Sequence, residues 1–490
     1  MVFSSITFLI YFLPITIFLY YVAPVRLKNT LLLAASLFFY AWGEPIYIFL
    51  MIFSIVVNYA AGICFEHIEN KIKCAGDDSF RLKRAMFAKK AVIAAAVAVN
   101  ILLLGFFKYA DFLISGINMI FGLAIEPLEL SLPVGISFYT FQAVSYLVDV
   151  QRGNVKVQKN IIDFAMYISM FAQLIAGPII RLADIECSLH RRTLSLSMFA
   201  DGSKRFTVGL AKKALLANGA GALWEAVCEV PYAEMSVLTA WIGIIGFTFQ
   251  IYFDFSGYSD MAIGLGKMLG FDFPENFRYP YTSRSVTEFW RRWHISLGSW
   301  FREYVYIPLG GSRCGALRRS FNILTVWLLT GLWHGASMNF VLWGLYFALL
   351  LVLEKAFLLR ILEKLPRAAG HLYTMLAVII SWVIFALDTD AIIPYLKTML
   401  GIGAPAIYDL DALYMLSGNA LFFAVLAVGS TGMVSALYRK FFSGMGTEYE
   451  GKERAALKMI VENVCLAALL IISLAYVEAS TYNPFLYFRF

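Results

Sequence analysis

Two histidines and two aspartates are the residues of this chain whose types and surroundings point most directly to chemistry. His334 lies in Leu332-Trp333-His334-Gly335-Ala336-Ser337, between the apolar runs 320–332 and 339–353. Each run is short for a bilayer: about 15 residues rise only ~22 Å as helix, against a hydrocarbon core of about 30 Å. The turn at Gly335 is therefore expected inside the membrane thickness, and His334 with it. An ionisable side chain at that depth is costly and typically faces a cavity or a functional path. Neutral imidazole can take a proton from a hydroxyl and later return it. The plainer alternative is a core histidine bonded to a backbone carbonyl.

His294 sits in Glu288-Phe-Trp-Arg291-Arg292-Trp293-His294-Ile-Ser296-Leu-Gly-Ser-Trp300-Phe-Arg302. Aromatics and arginines are too dense there for a simple span. The pattern predicts an amphipathic interfacial helix with its aromatics at the headgroup boundary. Arg291, Arg292 and Arg302 are cations that could hold a phosphorylated donor. Without such a donor the segment is only a membrane-surface helix. Asp254 and Asp260 lie in Tyr-Phe-Asp254-Phe-Ser256-Gly257-Tyr258-Ser259-Asp260. They suggest a polar wall or a pair that orients other groups; Asp, Ser and Gly also suit a helix-ending cap and turn. The segment Tyr306-Ile-Pro308-Leu-Gly310-Gly311 predicts a turn and lacks the spacing of a phosphate loop. His67, His190 and His371 lie in or beside basic loops and read as solvated or interfacial.

The elements that must position these groups are membrane spans. Of 490 residues 60% are hydrophobic and 15% charged, with mean hydropathy +0.72, far below the roughly 25% charged residues of a soluble globule. Apolar stretches suited to spans cover 6–24, 30–42, 46–64, 91–107, 131–149, 214–228, 236–253, 320–334, 339–353, 372–388, 416–437 and 459–477. The net charge of +7 resides in short loops, which argues for cytoplasmic loops and against a nucleic-acid partner. Residues 66–90 carry seven Lys/Arg against four acids, and residues 278–319 carry eight against two. These loops, with 439–458, are expected in the cytoplasm, and both termini outside. Residues 161–180 are apolar but flanked by basic stretches at both ends, which predicts a re-entrant or broken segment around Gly177-Pro178. The first apolar run has no basic residues before it and reads as a retained span. The architecture expected is one all-α, polytopic membrane domain over 1–490, without internal repeats. Six scattered cysteines, with no Cys-x-x-Cys and no Cys/His pair at metal spacing, predict neither zinc nor a disulfide framework. No Gly-x-Ser-x-Gly elbow is present.

Three stretches together resemble the membrane-bound O-acyltransferase family, in its bacterial alginate O-acetylation branch: Tyr252–Gly264, Asn276–Gly311 and Gly331–Gly344. The ending Tyr487-Phe-Arg-Phe490 is similar to that branch as well. The resemblance implies a ring-like helical bundle with a central tunnel joining the two faces. It places the family's essential membrane-core histidine on His334 and a second polar position, often His or Asn, on His294. Supporting roles fall on Asp254, Asp260, Trp293 and Trp333, and a donor-side basic role on Arg291, Arg292 and Arg302. It implies acetyl-CoA as donor substrate, no tightly bound cofactor and no metal. It further implies a polysaccharide acceptor, an extracytoplasmic SGNH-type acetyltransferase partner and residence in the bacterial inner membrane. A D-alanyl transferase of the teichoic-acid type and, from a different class, a transporter with broken helices are the alternatives.

Overall fold

The computed structural model describes residues 2–74, 79–175, 177–443, 451–479 and 486. The Tyr487–Phe490 ending and the side chain of Cys74 lie outside the described residues. Among the described residues all regular structure is helical. That outcome follows from the solvent: with no water in the bilayer core, each backbone N–H and C=O must find its partner within the segment. Among the described residues six helices are long and apolar enough to cross a membrane: Ile48–Lys73, Phe80–Phe121, Val237–Met268, Arg367–Ala386, Leu410–Gly429 and Met459–Ala479. The chain is a polytopic all-α membrane protein.

Several elements differ from the sequence expectation. The run 91–107 is the middle of one 43-residue helix, Ser79–Phe121, whose basic first turns continue straight into the apolar part. The run 131–149 forms Ile136–Arg152, buried on nearly every side. The run 416–437 divides at Ser430-Thr431-Gly432 into Leu410–Gly429 and Met433–Ser443. Asp409 caps the first of these by accepting from the Ala412 N–H.

The fold divides into two compact units. The first comprises Met1–Gly202, Ala262–Pro274 and Arg302–Tyr304; the second comprises Ser203–Met261, Glu275–Phe301 and Val305–Phe490. In the first unit, Ile48–Cys74 and Ser79–Phe121 are locked by two buried amides. Asn58 Nδ2 donates to Asn100 Oδ1 at 3.0 Å, and Asn100 Nδ2 donates back to Asn58 Oδ1 at 2.8 Å. The 161–180 segment is broken around Gly177-Pro178, as its flanks suggested, since residues 177–180 are non-helical, and it is broken also at Met170, where Ile161–Ser169 ends and Phe171–Leu174 begins. The interruption at Met170 is buried and satisfied, since Ser36 Oγ accepts from the Phe171 N–H.

In the second unit, the Ala316–His334 and Met338–Leu353 helices form a tight hairpin. A Cβ on Gly331 would overlap the Phe340 carbonyl oxygen, and one on Gly344 would overlap the Trp327 carbonyl oxygen. Two hydrogens stand where two side chains would hold the backbones apart, the usual device for close helix contact in membranes. The hairpin packs on Arg367–Ala386 around Trp290, Trp343, Phe347, Trp382 and Phe385. The His334 ring lies against this aromatic layer.

Candidate functional site

The Val237–Met268 helix runs unbroken through 252–260, so Asp254 and Asp260 cap nothing. Both carboxylates are neutralised by cations from the Leu196–Ala211 helix and the π-turn that follows it. Lys213 Nζ lies 2.7 Å from Asp254 Oδ1, with both side chains almost wholly buried. Asp260 takes Arg205 at 2.7 Å and Lys212 at 2.6 Å. The helices can come this close because Gly209 and Gly257 face each other: a Cβ on either would sit within 2.8 Å of the other's carbonyl oxygen. Removing one partner of such a buried pair strands the other charge, which costs several kcal/mol. The aspartates thus fix a helix crossing, and Asp254 Oδ2 also accepts from the Leu486 N–H.

The RWHIS segment is not one amphipathic helix. Val286–Arg292 ends at Trp293, and Ile295–Phe301 begins after His294. His294 has φ +43°, in the left-handed region that few residues other than glycine adopt. Such a backbone costs roughly 1–3 kcal/mol and persists only where its surroundings impose it. Here they do. The Ile295 N–H donates to the Asn276 carbonyl, and the Arg278 N–H donates to the Arg292 carbonyl. The first helix is also pinned at its start, where the buried Glu354 carboxylate accepts from the N–H groups of Val286 and Thr287, and Ser285 Oγ accepts from that of Glu288.

Asn276 meets His294 with its side chain as well. Its Oδ1 lies 3.1 Å from His294 Nδ1, 3.2 Å from the Ser296 backbone nitrogen and 2.9 Å from Ser296 Oγ. A backbone N–H can only donate, so this amide atom is the oxygen, and the imidazole proton must sit on Nδ1. Nε2 is then a bare lone pair, fully buried and without a hydrogen-bond partner, and Asn276 Nδ2 is likewise buried and unpartnered. Burial pulls the His294 pKa from 6.5 down to about 3, so the ring is neutral at every physiological pH.

His334 ends the first hairpin helix, half-buried. Its ring lies against Trp333 at 4.9 Å, Trp343 at 5.0 Å and Phe385 at 5.3 Å between centroids, all three edge-on. The Trp333 ring also lies 5.9 Å from that of His294. One indole thus touches both imidazoles. Gly335 is required next by space, since a Cβ there would overlap the Phe340 ring.

The remaining predicted residues divide. Trp293 turns into the aromatic layer, 5.5 Å from Phe289 and 5.1 Å from Trp382, and works by packing. Arg292 is engaged with Glu288 at 2.8 Å and with the Arg278 carbonyl. Arg291 is exposed. Arg302 is exposed too and belongs to the first unit, beside Glu303. The three arginines therefore do not form one cluster within a unit. The expected turn at 307–311 is present, with positive φ at Gly310 and Gly311. Asn276 and Glu354 were not anticipated from the sequence. The only trace of Asn276 was its place at the head of the Asn276–Gly311 stretch.

The model of the MBOAT, membrane-bound O-acyltransferase, family matches residues 150–395. The chain is similar to the probable alginate O-acetylase AlgI of Azotobacter vinelandii, at 36% identity over 100% of both chains. It is similar to the protein of the same name from Pseudomonas putida, at 37% over 100% of both. A teichoic acid D-alanyltransferase of Bacillus subtilis matches more weakly, at 26% over 44% of this chain and 58% of its own.

Proposed function

This chain belongs to the membrane-bound O-acyltransferase family, and on that footing we propose that it passes acetyl groups from cytoplasmic acetyl-CoA across the bacterial inner membrane, for O-acetylation of an exported polysaccharide such as alginate. It is a multi-pass membrane acyltransferase; the donor, the acceptor and the residue roles are the parts proposed. The observation that carries the proposal is the pair of imidazoles sharing the Trp333 indole, one at the end of the Ala316–His334 helix and one on a strained, clamped turn.

His334 is the general base. The acceptor hydroxyl oxygen attacks the acyl carbon, its proton passes to the His334 ring, the C–S bond breaks, and the proton follows to the departing thiolate. Proton transfer by a positioned imidazole contributes about 10²–10⁴-fold. His294 holds the donor by accepting a hydrogen bond at Nε2. A bare lone pair cannot polarise a carbonyl, so positioning is the role that its tautomer supports. The acetyl group crosses by transfer, and an extracytoplasmic SGNH-type acetyltransferase carries it on to the polymer. Acetyl is preferred to D-alanyl because the full-length similarity lies with proteins named O-acetylases.

The test is transfer from radiolabelled acetyl-CoA by the purified protein in lipid with the partner present, wild type against His334→Ala. Label on partner or glycan from wild type alone is expected. Transfer only from a D-alanyl carrier protein would move the substrate to the D-alanyl class, and equal activity in both variants would remove His334 as the base.

A further inference from the structure

The tautomer of His294 leaves a task unfilled: something must polarise the thioester carbonyl, and it is not His294. We propose that the Asn276 side-chain amide does this, donating from Nδ2 to the acyl oxygen as negative charge develops on it. The inference rests on the acetyl-transfer reading above and adds a residue to it.

Three observations point to Asn276. It is 1% exposed, yet both N–H bonds of its amide lack a partner while its oxygen accepts three. A buried amide nitrogen left unpaired costs about 1–3 kcal/mol, and few native groups remain so without a ligand or a function. The amide cannot be reversed to relieve this, because the Ser296 N–H requires the oxygen where it is. Nδ2 belongs to the same planar amide whose oxygen bonds His294 Nδ1, so one side chain carries both the tie to that ring and the free donor. Side-chain amides are typical donors to developing oxyanions, because a fixed dipole in a dry site needs no reorganisation at the moment of reaction.

The step balances without a further reactant. The hydroxyl oxygen bonds to the acyl carbon, and the carbonyl π pair moves to the acyl oxygen, where Nδ2–H receives it. The pair then returns as the C–S bond breaks, and the thiolate leaves with the proton relayed through His334. Asn276 thus has two tasks on two atoms: Oδ1 sets the His294 tautomer and Nδ2 stabilises the oxyanion.

The atoms separate by substitution. Asn276→Asp keeps the acceptor oxygen and removes both donors, whereas Asn276→Ala removes both functions. In full-length protein in lipid nanodiscs, Asn276→Asp is expected to lower kcat about 10²–10³-fold, the usual cost of one lost oxyanion donor, with little change in KM for acetyl-CoA. The ¹⁵N shifts of histidine-labelled protein, assigned by difference against His294→Gln, are expected to keep His294 protonated on Nδ1. Infrared spectroscopy of bound [1-¹³C]acetyl-CoA is expected to show a carbonyl band shifted to lower frequency in wild type and restored in Asn276→Ala. That band tests the idea in wild type even if the aspartate variant misfolds. An unshifted wild-type band, or an Asn276→Asp variant that folds and turns over at the wild-type rate, would overturn the proposal while leaving acetyl transfer intact. Wild type that moves no acetyl at all removes the acetyl reading and this inference together.

Discussion

Two pairs of buried polar side chains, one in each unit, look alike in composition and differ in what they leave open. Asn58 and Asn100 close on each other: each amide nitrogen donates to the other's oxygen, and each also donates to a backbone carbonyl of its own helix. Asn276 and His294 close on one side only. Their shared bond uses Oδ1 and Nδ1, and the outward nitrogens of both remain unpartnered. A fully satisfied pair fixes a helix crossing and asks nothing of a ligand. A half-satisfied pair costs stability and makes sense where something else completes it. The same residue type thus reads as architecture in one unit and as chemistry in the other, and the free valence tells them apart.

That contrast breaks most visibly under substitution. His294→Ala is expected to slow acyl transfer per folded molecule by about a hundredfold or more, of the size seen when one positioned catalytic group is lost. Activity that survived would place the open pair with the closed one. Asn58→Ala should do the reverse. It removes both bonds between the two amides, leaving Asn100 with Ser54 Oγ and the Ala96 carbonyl, and costs about 1–3 kcal/mol, read as a lower melting temperature in detergent, while transfer per folded molecule stays at the wild-type rate.

The pH dependence of stability sharpens the comparison, since Asn58 and Asn100 do not titrate. His294 is held neutral in the folded state, with its pKa near 3 against an ordinary 6.5. As pH falls below 6.5 the unfolded chain takes up a proton that the folded chain refuses. Stability should therefore drop by up to about 1.4 kcal/mol per pH unit between roughly 6.5 and 3, and should not depend on this group above 6.5. Melting curves of wild type and His294→Gln should diverge as the pH is lowered, and parallel curves would contradict the buried neutral imidazole. Glu354→Gln should cost about 1 kcal/mol through the lost charge at the start of Val286–Arg292. It should also lower kcat modestly by loosening the turn that holds His294, with the two losses measured on one preparation. The smallest effect belongs to the paired change Asn58→Leu with Asn100→Leu. Replacing both partners by apolar groups of similar shape should be nearly neutral, which single and double mutants measured together would show.

Much of the hairpin that carries His334 could be read in advance. The short apolar runs around Gly335 placed His334 at a helix end, where it lies. The shapes of three other regions were hidden, each for a physical reason. A left-handed histidine has no signature in the sequence, so one interfacial helix was expected where two short ones meet at His294. Asp254, Ser256 and Gly257 read as a cap because nothing nearby neutralises the carboxylate; the cations come from Arg205, Lys212 and Lys213, some forty to fifty-five residues upstream. Asn276 reaches His294 across 18 residues of chain, through a backbone pairing too short to show a periodic pattern.

The turn at His294 also decides which replacements are accessible. Among residues other than glycine, left-handed backbone is several-fold more common for Asn, Asp and His. A carboxylate would be a buried charge without a partner, which leaves histidine and asparagine as side chains that fit the turn and still offer a polar atom. Their codons differ by a single base. A single-base change at this position can therefore exchange the imidazole for an amide while keeping a side chain that the turn accepts.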